Sequence, residues 1–158
     1  MKYTKSLLAL SIAILSGCDS TDTASEKSDS KKNNESVDQQ DVLLGSGEGD
    51  QFTEGDLELQ ISALSAGGTT TVTTTIVDTD TKALITDSDV VVEFASECAD
   101  ESMSTITQRV ETSTGVATAI YQDNGCGTEK SSDRITATLI GSSPLTTAIG
   151  EVTLSTVL

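Results

Sequence analysis

Short runs of Val, Ile and Thr, separated by turn residues, constrain the fold of this chain more than any other feature. They recur from Phe52 to the C-terminus, and no stretch shows the 3.6-residue apolar period of a helix. β-Branched side chains suit the pleated surface of a strand, so each run predicts one. The predicted strands lie near residues 56–65, 69–78, 88–97, 103–111, 115–122, 133–140 and 146–157. Seven short strands in about 108 residues predict an all-β fold with two packed sheets.

Alternation within two of these strands predicts which side chains face the core. In the strand near 88–97, Glu93 and Glu97 share one face, so the other face turns inward. In the strand near 133–140, Thr136 and Thr138 alternate with apolar residues in the same way. The predicted inward residues are Val90, Val92, Phe94, Cys98, Ile135, Ala137 and Leu139.

The N-terminus has the layout of a secretion signal. Lys2 and Lys5 precede an apolar stretch, residues 7–15, which is too short to span a bilayer as a helix. Leu15-Ser16-Gly17-Cys18 follows, and the whole pattern resembles the lipobox of bacterial lipoproteins. The resemblance implies that residues 1–17 are a cleaved signal peptide and that Cys18 is acylated. Two or more acyl chains hold a protein on a membrane stably. The alternatives are an ordinary secretory leader or a membrane anchor in which the Cys falls by chance.

Asp19 bears on the compartment of an anchored protein. In enteric-type bacteria an acidic residue after the lipidated Cys resembles the signal that retains lipoproteins in the inner membrane. We therefore expect a cell-envelope protein anchored by lipid on Cys18 at the periplasmic face of the inner membrane. The outer membrane or the cell surface is the alternative location.

The segment between Cys18 and the first predicted strand has the composition of a tether. Residues 19–40 are polar or charged with almost no apolar side chains, so they cannot offset their ordering entropy by burial. Residues 45–50 read Gly-Ser-Gly-Glu-Gly-Asp. No strand precedes these glycines and no Lys follows them, so they predict a flexible hinge rather than a phosphate-binding loop. The predicted boundaries are residues 18–50 for lipidated Cys and disordered tether, and 51–158 for the folded domain.

The charge and residue composition exclude several classes of function. After residue 17 the chain has 25 acidic and 7 basic side chains, so its surface repels nucleic acid phosphates. The chain has no His for a catalytic triad or a typical zinc site. Lys130-Ser131-Ser132 reads as a polar loop rather than a catalytic pair. With three aromatic side chains after residue 17, a sugar-stacking platform has little support. We therefore expect a protein that is not an enzyme and needs no cofactor.

Three cysteines divide into one for the lipid and two for the domain. Cys98 and Cys126 remain after Cys18 is assigned, and thiols of exported proteins usually oxidise. Two strands between them would carry the chain to the opposite end of a sandwich and back, which places both at the same end. We therefore predict a disulfide between Cys98 and Cys126, with two free buried thiols as the alternative.

Four sequence segments resemble bacterial immunoglobulin-like domains of the invasin/intimin type. They are residues 64–78, Val90-Val91-Val92-Glu93-Phe94, residues 114–121 and Asp133-Arg134-Ile135-Thr136-Ala137-Thr138-Leu139. The resemblance implies an immunoglobulin-like β-sandwich used as a stalk or adhesive module, and it implies that Ala117, Ala119 and Tyr121 point inward. Alternation alone leaves that choice open against Val116, Thr118 and Ile120. The chain has Thr114 where the family often has Asn, and Thr79-Asp80-Thr81-Lys82 replaces the usual Asp-Gly-Asn turn.

Acidic residues near one predicted loop are weak calcium candidates. Asp78, Asp80, Asp87 and Asp89 would supply hard oxygen ligands, but their spacing fits no calcium loop. Solvated carboxylates are the favoured interpretation, and Glu97, Asp100 and Glu101 are interpreted in the same way.

The sequence as a whole predicts a lipid-anchored envelope protein that presents a non-catalytic domain in a structural, spacer or adhesive role. The alternatives are a periplasmic ligand- or calcium-binding module, or a fragment of a larger surface protein with several such domains. The sequence identifies no protein or surface partner.

Overall fold

The computed structural model of the chain describes residues 41–142 and 145–156, and it confirms the predicted all-β class. The predicted signal peptide, Cys18 and residues 19–40 of the predicted tether lie outside the described residues. The strands are β1 (Val42–Ser46), β2 (Thr53–Glu54), β3 (Glu58–Leu59), β4 (Ala63–Ser65), β5 (Thr69–Asp78), β6 (Val90–Ser96), β7 (Ser104–Ile106), β8 (Arg109–Thr112), β9 (Val116–Asp123), β10 (Ser132–Leu139) and β11 (Thr147–Ser155). A short helix, α1 (Glu97–Asp100), follows β6, and 3₁₀ turns occupy Gly49–Gln51 and Cys126–Thr128.

The strands form two sheets packed as a sandwich. The six-stranded sheet has the order β2-β1-β5-β9-β7, and β3 also pairs with β5. The five-stranded sheet has the order β4-β11-β10-β6-β8. Strands β1, β5, β9 and β7 therefore lie opposite β6, β10 and β11, which is the division of strands in an immunoglobulin-like sandwich. The outermost strands β2, β7, β4 and β8 have only two to four residues each, and such short edges limit pairing with other chains.

The core between the sheets confirms the predicted inward faces. Val92, Phe94, Cys98, Ile135, Ala137 and Leu139 are buried, whereas Val90 is half-buried and packs against the core. Ala117, Ala119 and Tyr121 are fully buried, as the family resemblance implied. Ile120, on the opposite face of the same strand, is 59% exposed.

The predicted boundary between tether and domain is wrong, because the fold begins before residue 51. Strand β1 pairs antiparallel with β5, opposing Leu44 to Ile76, and Leu44 is fully buried. Gly45 belongs to this strand rather than to a hinge. The position requires glycine because a Cβ there would collide with the Thr53 carbonyl and the Phe52 ring. Gly47 has φ +77, a conformation that favours glycine. The glycines therefore allow a tight, packed turn.

Two predicted strands are each divided between the two sheets. The predicted strand 56–65 becomes β3, which pairs with β5, and β4, which runs parallel to β11. The predicted strand 103–111 becomes β7, which pairs with β9, and β8, which pairs with β6. In contrast, β5 has the predicted bounds, 69–78. The chain crosses between the sheets at residues 60–62 and 107–108, which is how a sandwich uses one extended segment in both layers.

We expect Leu44→Ala to lower the free energy of unfolding by about 2–3 kcal/mol, near the low end for a buried Leu because β1 lies next to a sheet edge and can relax. Leu43→Ala is the matched control, since Leu43 is the neighbouring residue and its side chain is only half-buried. Urea unfolding of both variants measures the difference. Equal small losses for the two would mean that β1 adds nothing to the core.

Candidate functional site

The two predicted cysteines meet at one end of the sandwich. Cys98 and Cys126 form a disulfide with a Cα–Cα distance of 6.0 Å, and both are fully buried. Cys98 lies in α1, which begins where the Ser96 side chain accepts a hydrogen bond from the Ala99 backbone N–H. Cys126 opens the 3₁₀ turn after β9, where Gly125 has φ +130. The disulfide joins the connections that leave β6 and β9, and we call this region the disulfide end.

A buried carboxylate lies beside the disulfide on β10. Asp133 is 1% exposed. Its two oxygens accept hydrogen bonds from the Ser96 hydroxyl at 2.6 Å and from the Cys98 backbone N–H at 3.1 Å. The Ser96 and Ser104 hydroxyl oxygens are 3.2 Å apart, which extends the network to β7. These hydrogen bonds give the buried polar groups the partners that they need. They also link β10 to β6, α1 and β7.

A second buried carboxylate organises the glycine-rich connections of the same end. Asp123 is fully buried at the end of β9. Its oxygens accept hydrogen bonds from the backbone N–H groups of Gly67, Gly125 and Gly127, at 3.1–3.3 Å. The Asp123 side chain thus holds both the turn before β5 and the turn that carries Cys126. Its role is therefore structural.

The Tyr121 hydroxyl is the exception in this network. It is buried beside Asp133 and Ser104 but has no hydrogen-bond partner among the described residues. Burial, followed by the Asp133 carboxylate, raises the pKa of the Tyr121 phenol above its ordinary value of 10.0. The phenol is therefore held neutral in the folded state.

We expect Tyr121→Phe to stabilise the domain by about 1 kcal/mol at neutral pH, because the substitution removes a buried hydroxyl without a partner. The raised pKa also predicts a pH dependence. The folded state of the wild-type protein is favoured below pH 10.0, and this contribution is lost as the pH rises above that value, since only the unfolded phenol ionises readily.

Urea unfolding of both proteins at pH 8 and pH 11 measures these effects. Tyr121→Phe should lose less stability between the two pH values than the wild type. The two proteins share all their other titratable groups, so the difference between the two losses reports on Tyr121. An equal loss in both proteins would contradict the assignment to Tyr121.

Charged residues at the surface of the disulfide end form an ion pair. The Lys130 ammonium lies 2.6 Å from the Glu101 carboxylate, and this contact raises the pKa of Lys130. Both side chains are partly exposed, so the pair contributes little to stability. It nevertheless joins the residue after α1 to the residues before β10. The Lys130 ammonium therefore pairs with Glu101 rather than with a neighbouring serine.

The weak calcium candidates lie at the end of β5 and along the one connection from β5 to β6. Asp78 ends β5, and its carboxylate accepts hydrogen bonds from the Asp80 N–H, the Thr81 N–H and the Thr81 hydroxyl. These contacts, the Thr81 N–H first, lower the pKa of Asp78 below 3.8. Asp80, Asp87 and Asp89 are exposed. Within residues 41–142 and 145–156, no group of three or more potential ligands could hold a metal ion.

Two shallow depressions flank the disulfide end. One, of about 310 Å³, is lined by Ala95, Ser96, Glu97, Asp100, Arg134 and Thr136. The other, of about 300 Å³, is lined by Ala99, Ser102, Ser104, Thr105, Ile106, Gln108 and Asn124. The first places one cation among carboxylates and the second is uncharged, so this end offers two chemically different polar surfaces.

Sequence reasoning found the cysteines but missed the two buried carboxylates. Alternation did contain a signal, because Asp123 follows Tyr121 by two residues and Asp133 precedes Ile135 by two. Both therefore occupy inward positions. Charged side chains are seldom fully buried, so composition favoured the opposite reading.

No family model matches this chain, and no curated protein matches it either.

Proposed function

We propose that this chain is a lipid-anchored protein of the cell envelope, and that its sandwich is a non-catalytic module with a structural, spacer or adhesive role. The observation that carries the proposal is Leu15-Ser16-Gly17-Cys18 directly after a short apolar stretch and two lysines. Acylation of Cys18 would hold the mature protein on the membrane. Residues 19–40 would then separate the membrane from the first strand.

The buried disulfide supports export, because such bonds persist in oxidising compartments. The buried polar side chains at the disulfide end support a presenting role. Asp123, Asp133 and Ser96 form hydrogen bonds with neighbouring backbone and hydroxyl groups. These bonds stiffen the connections between strands at the disulfide end. Across residues 41–142 and 145–156, no helix is long and apolar enough to cross a membrane.

The test of the anchor is Cys18→Ser in the full chain, with Ser20→Ala as the control. We expect the wild type and Ser20→Ala in the membrane fraction, with acyl mass on residue 18 by mass spectrometry. Cys18→Ser should leave that fraction or retain its leader. An intact leader with an unmodified Cys18 in the wild-type protein would reject the proposal.

The side of the membrane distinguishes an adhesive role from a periplasmic one. Proteinase treatment of intact cells, followed by treatment of lysed envelopes, reads the exposure of the domain. Digestion in intact cells would support display at the surface. Survival until lysis would place the domain in the periplasm and remove adhesion from the proposal.

A further inference from the structure

The turn that carries Cys126 contains an asparagine followed by a glycine. The chain has three asparagines, and only Asn124 precedes a glycine, Gly125. Asparagine is a thermally labile residue, because the backbone nitrogen of the next residue can attack its side-chain amide carbon. Glycine favours that attack, since it has no Cβ to obstruct the approach. Asn124 is therefore the asparagine of this chain with the greatest intrinsic tendency to lose its amide group.

Deamidation at Asn124 needs water as its only co-reactant. The Gly125 nitrogen forms a bond to the Asn124 side-chain amide carbon, and the bond from that carbon to the amide nitrogen breaks. Ammonia leaves with the proton that the Gly125 nitrogen loses, and a cyclic imide remains. Water then adds to one of the two carbonyl carbons of the ring and opens it. The product at residue 124 is aspartate or isoaspartate, and no atom is oxidised or reduced.

The fold holds the attacking nitrogen away from this reaction. The Gly125 N–H donates a hydrogen bond to Asp123 Oδ1 at 3.1 Å, and Asp123 is fully buried. A hydrogen bond to a buried charged group is costly to break. The carboxylate also disfavours removal of the N–H proton, because the nitrogen would become an anion beside a like charge. Asn124 itself is exposed, so water reaches it and the site lacks only a free nucleophile.

Further hydrogen bonds fix the backbone on both sides of the peptide bond between Asn124 and Gly125. The Met103 carbonyl accepts hydrogen bonds from the Asn124 and Cys126 N–H groups at 3.0 and 3.2 Å. The Gly125 carbonyl accepts from the Thr128 N–H at 3.0 Å and from the Thr128 hydroxyl at 2.6 Å. The disulfide ties the same turn to α1. Rotation of the backbone at this peptide bond therefore breaks several of these contacts.

We propose that Asn124 is a deamidation site that the closed disulfide end suppresses and that opening of this end activates. Asp123 has a second role here, because its carboxylate occupies the Gly125 N–H that must be released. Segments of a folded protein open locally at a lower free-energy cost than global unfolding. Loss of the disulfide removes one constraint on the turn and so raises the population that opens. The inference is independent of acylation at Cys18.

The modification would leave a permanent change at the disulfide end. Either product places a new carboxylate next to the buried Asp123, where like charges repel. Isoaspartate also routes the main chain through the former side chain, which adds one methylene group between residues 124 and 125. The N–H groups of Gly125 and Gly127 that now meet Asp123 would then be displaced from it. We expect a domain that has opened and reacted to reclose less stably than before, as measured by urea unfolding of chromatographically separated chains.

The test measures the rate of deamidation at residue 124 by peptide mass spectrometry at mildly alkaline pH. The samples are the oxidised full chain, the full chain with both Cys98→Ser and Cys126→Ser, and a synthetic peptide of residues 119–129 with Cys126→Ser. We expect the oxidised protein to react about a hundredfold more slowly than the peptide, because the reaction waits for local opening. The double variant should react about tenfold faster than the oxidised protein. A wild-type rate equal to that of the peptide, or a double variant as slow as the wild type, would overturn the inference.

Asp123→Ala and Asp133→Ala form a matched pair that tests the role of Asp123. Each removes one buried carboxylate from the disulfide end, but only Asp123 accepts a hydrogen bond from the Gly125 N–H. Both variants are measured at a temperature at which circular dichroism shows them folded. Asp123→Ala should react about tenfold faster than Asp133→Ala, because it releases the attacking nitrogen. Equal rates would contradict protection by Asp123.

Hydrogen exchange of the Gly125 N–H measures the same opening without a substitution, and it decides the question if Asp123→Ala does not fold. In the oxidised wild type, NMR should show this N–H exchanging about a hundredfold more slowly than in the peptide. Reduction by dithiothreitol should accelerate both the exchange and the deamidation. Free exchange of the Gly125 N–H in the oxidised protein would reject the proposed protection.

Discussion

Replacing both Cys98 and Cys126 by Ser is expected to lower the free energy of unfolding by about 3–4 kcal/mol in the chain-entropy model of disulfide stabilisation. The bond closes a sequence separation of 28 residues. Its loss frees the unfolded chain, and it also leaves polar hydroxyl groups in a fully buried site. For a domain of this size, we expect the melting temperature to fall by about 10–15 °C.

The measurement is urea unfolding of the oxidised wild type and of the double variant, with and without reductant. Reductant should lower the midpoint of the wild type and leave that of the double variant unchanged, which controls for effects on Cys18. A double variant as stable as the oxidised wild type would contradict a stabilising role for the bond.

Asp133→Ala is expected to lower the free energy of unfolding by a similar amount, about 3–5 kcal/mol. The substitution leaves the Cys98 N–H without its acceptor, and a buried group without a partner costs about 1–3 kcal/mol. It also removes the 2.6 Å hydrogen bond of the Ser96 hydroxyl, which keeps only its contacts with Ser104 and the Ala99 N–H. It also leaves a cavity beside α1. Asp87→Ala, at an exposed loop residue, is the control and should change the stability by less than about 0.5 kcal/mol.

Combining Asp133→Ala with the cysteine variants is informative because the Asp133 carboxylate accepts a hydrogen bond from the Cys98 backbone N–H. Contacting sites are usually not additive. We expect Asp133→Ala to cost less in the background that lacks the disulfide, since α1 is already less constrained there. Full additivity in a double-mutant cycle would mean that Asp133 and the bond stabilise separate parts of the fold.

Local sequence patterns predicted those features of the fold that depend on one strand at a time. The bounds of β5 follow from a run of Thr, Val and Ile between glycines and an aspartate. The inward faces of β6 and β10 follow from two-residue alternation. The cysteine pair follows from counting passages between the two ends of the sandwich, and this count survives the division of residues 103–111 into two strands.

Features that depend on distant partners were not predicted. Val42-Leu43-Leu44 is too short an apolar run to announce a strand, and it becomes one because β5 offers an unpaired edge. The switch between sheets at residues 107–108 depends on where β9 and β6 lie. Asp123 and Asp133 are acceptable inside only because glycine, cysteine and serine donors converge on them, and that convergence is a tertiary property.

The disulfide end also limits how far this chain can be drawn out under tension. If an anchored protein is pulled at its distal end, unfolding releases chain length at about 3.5 Å per residue. The 28-residue span between Cys98 and Cys126 stays closed while its covalent bond is intact. The extended chain is therefore about 90 Å shorter than its residue count implies. A reducing environment would change the stretched length of the molecule as well as its stability.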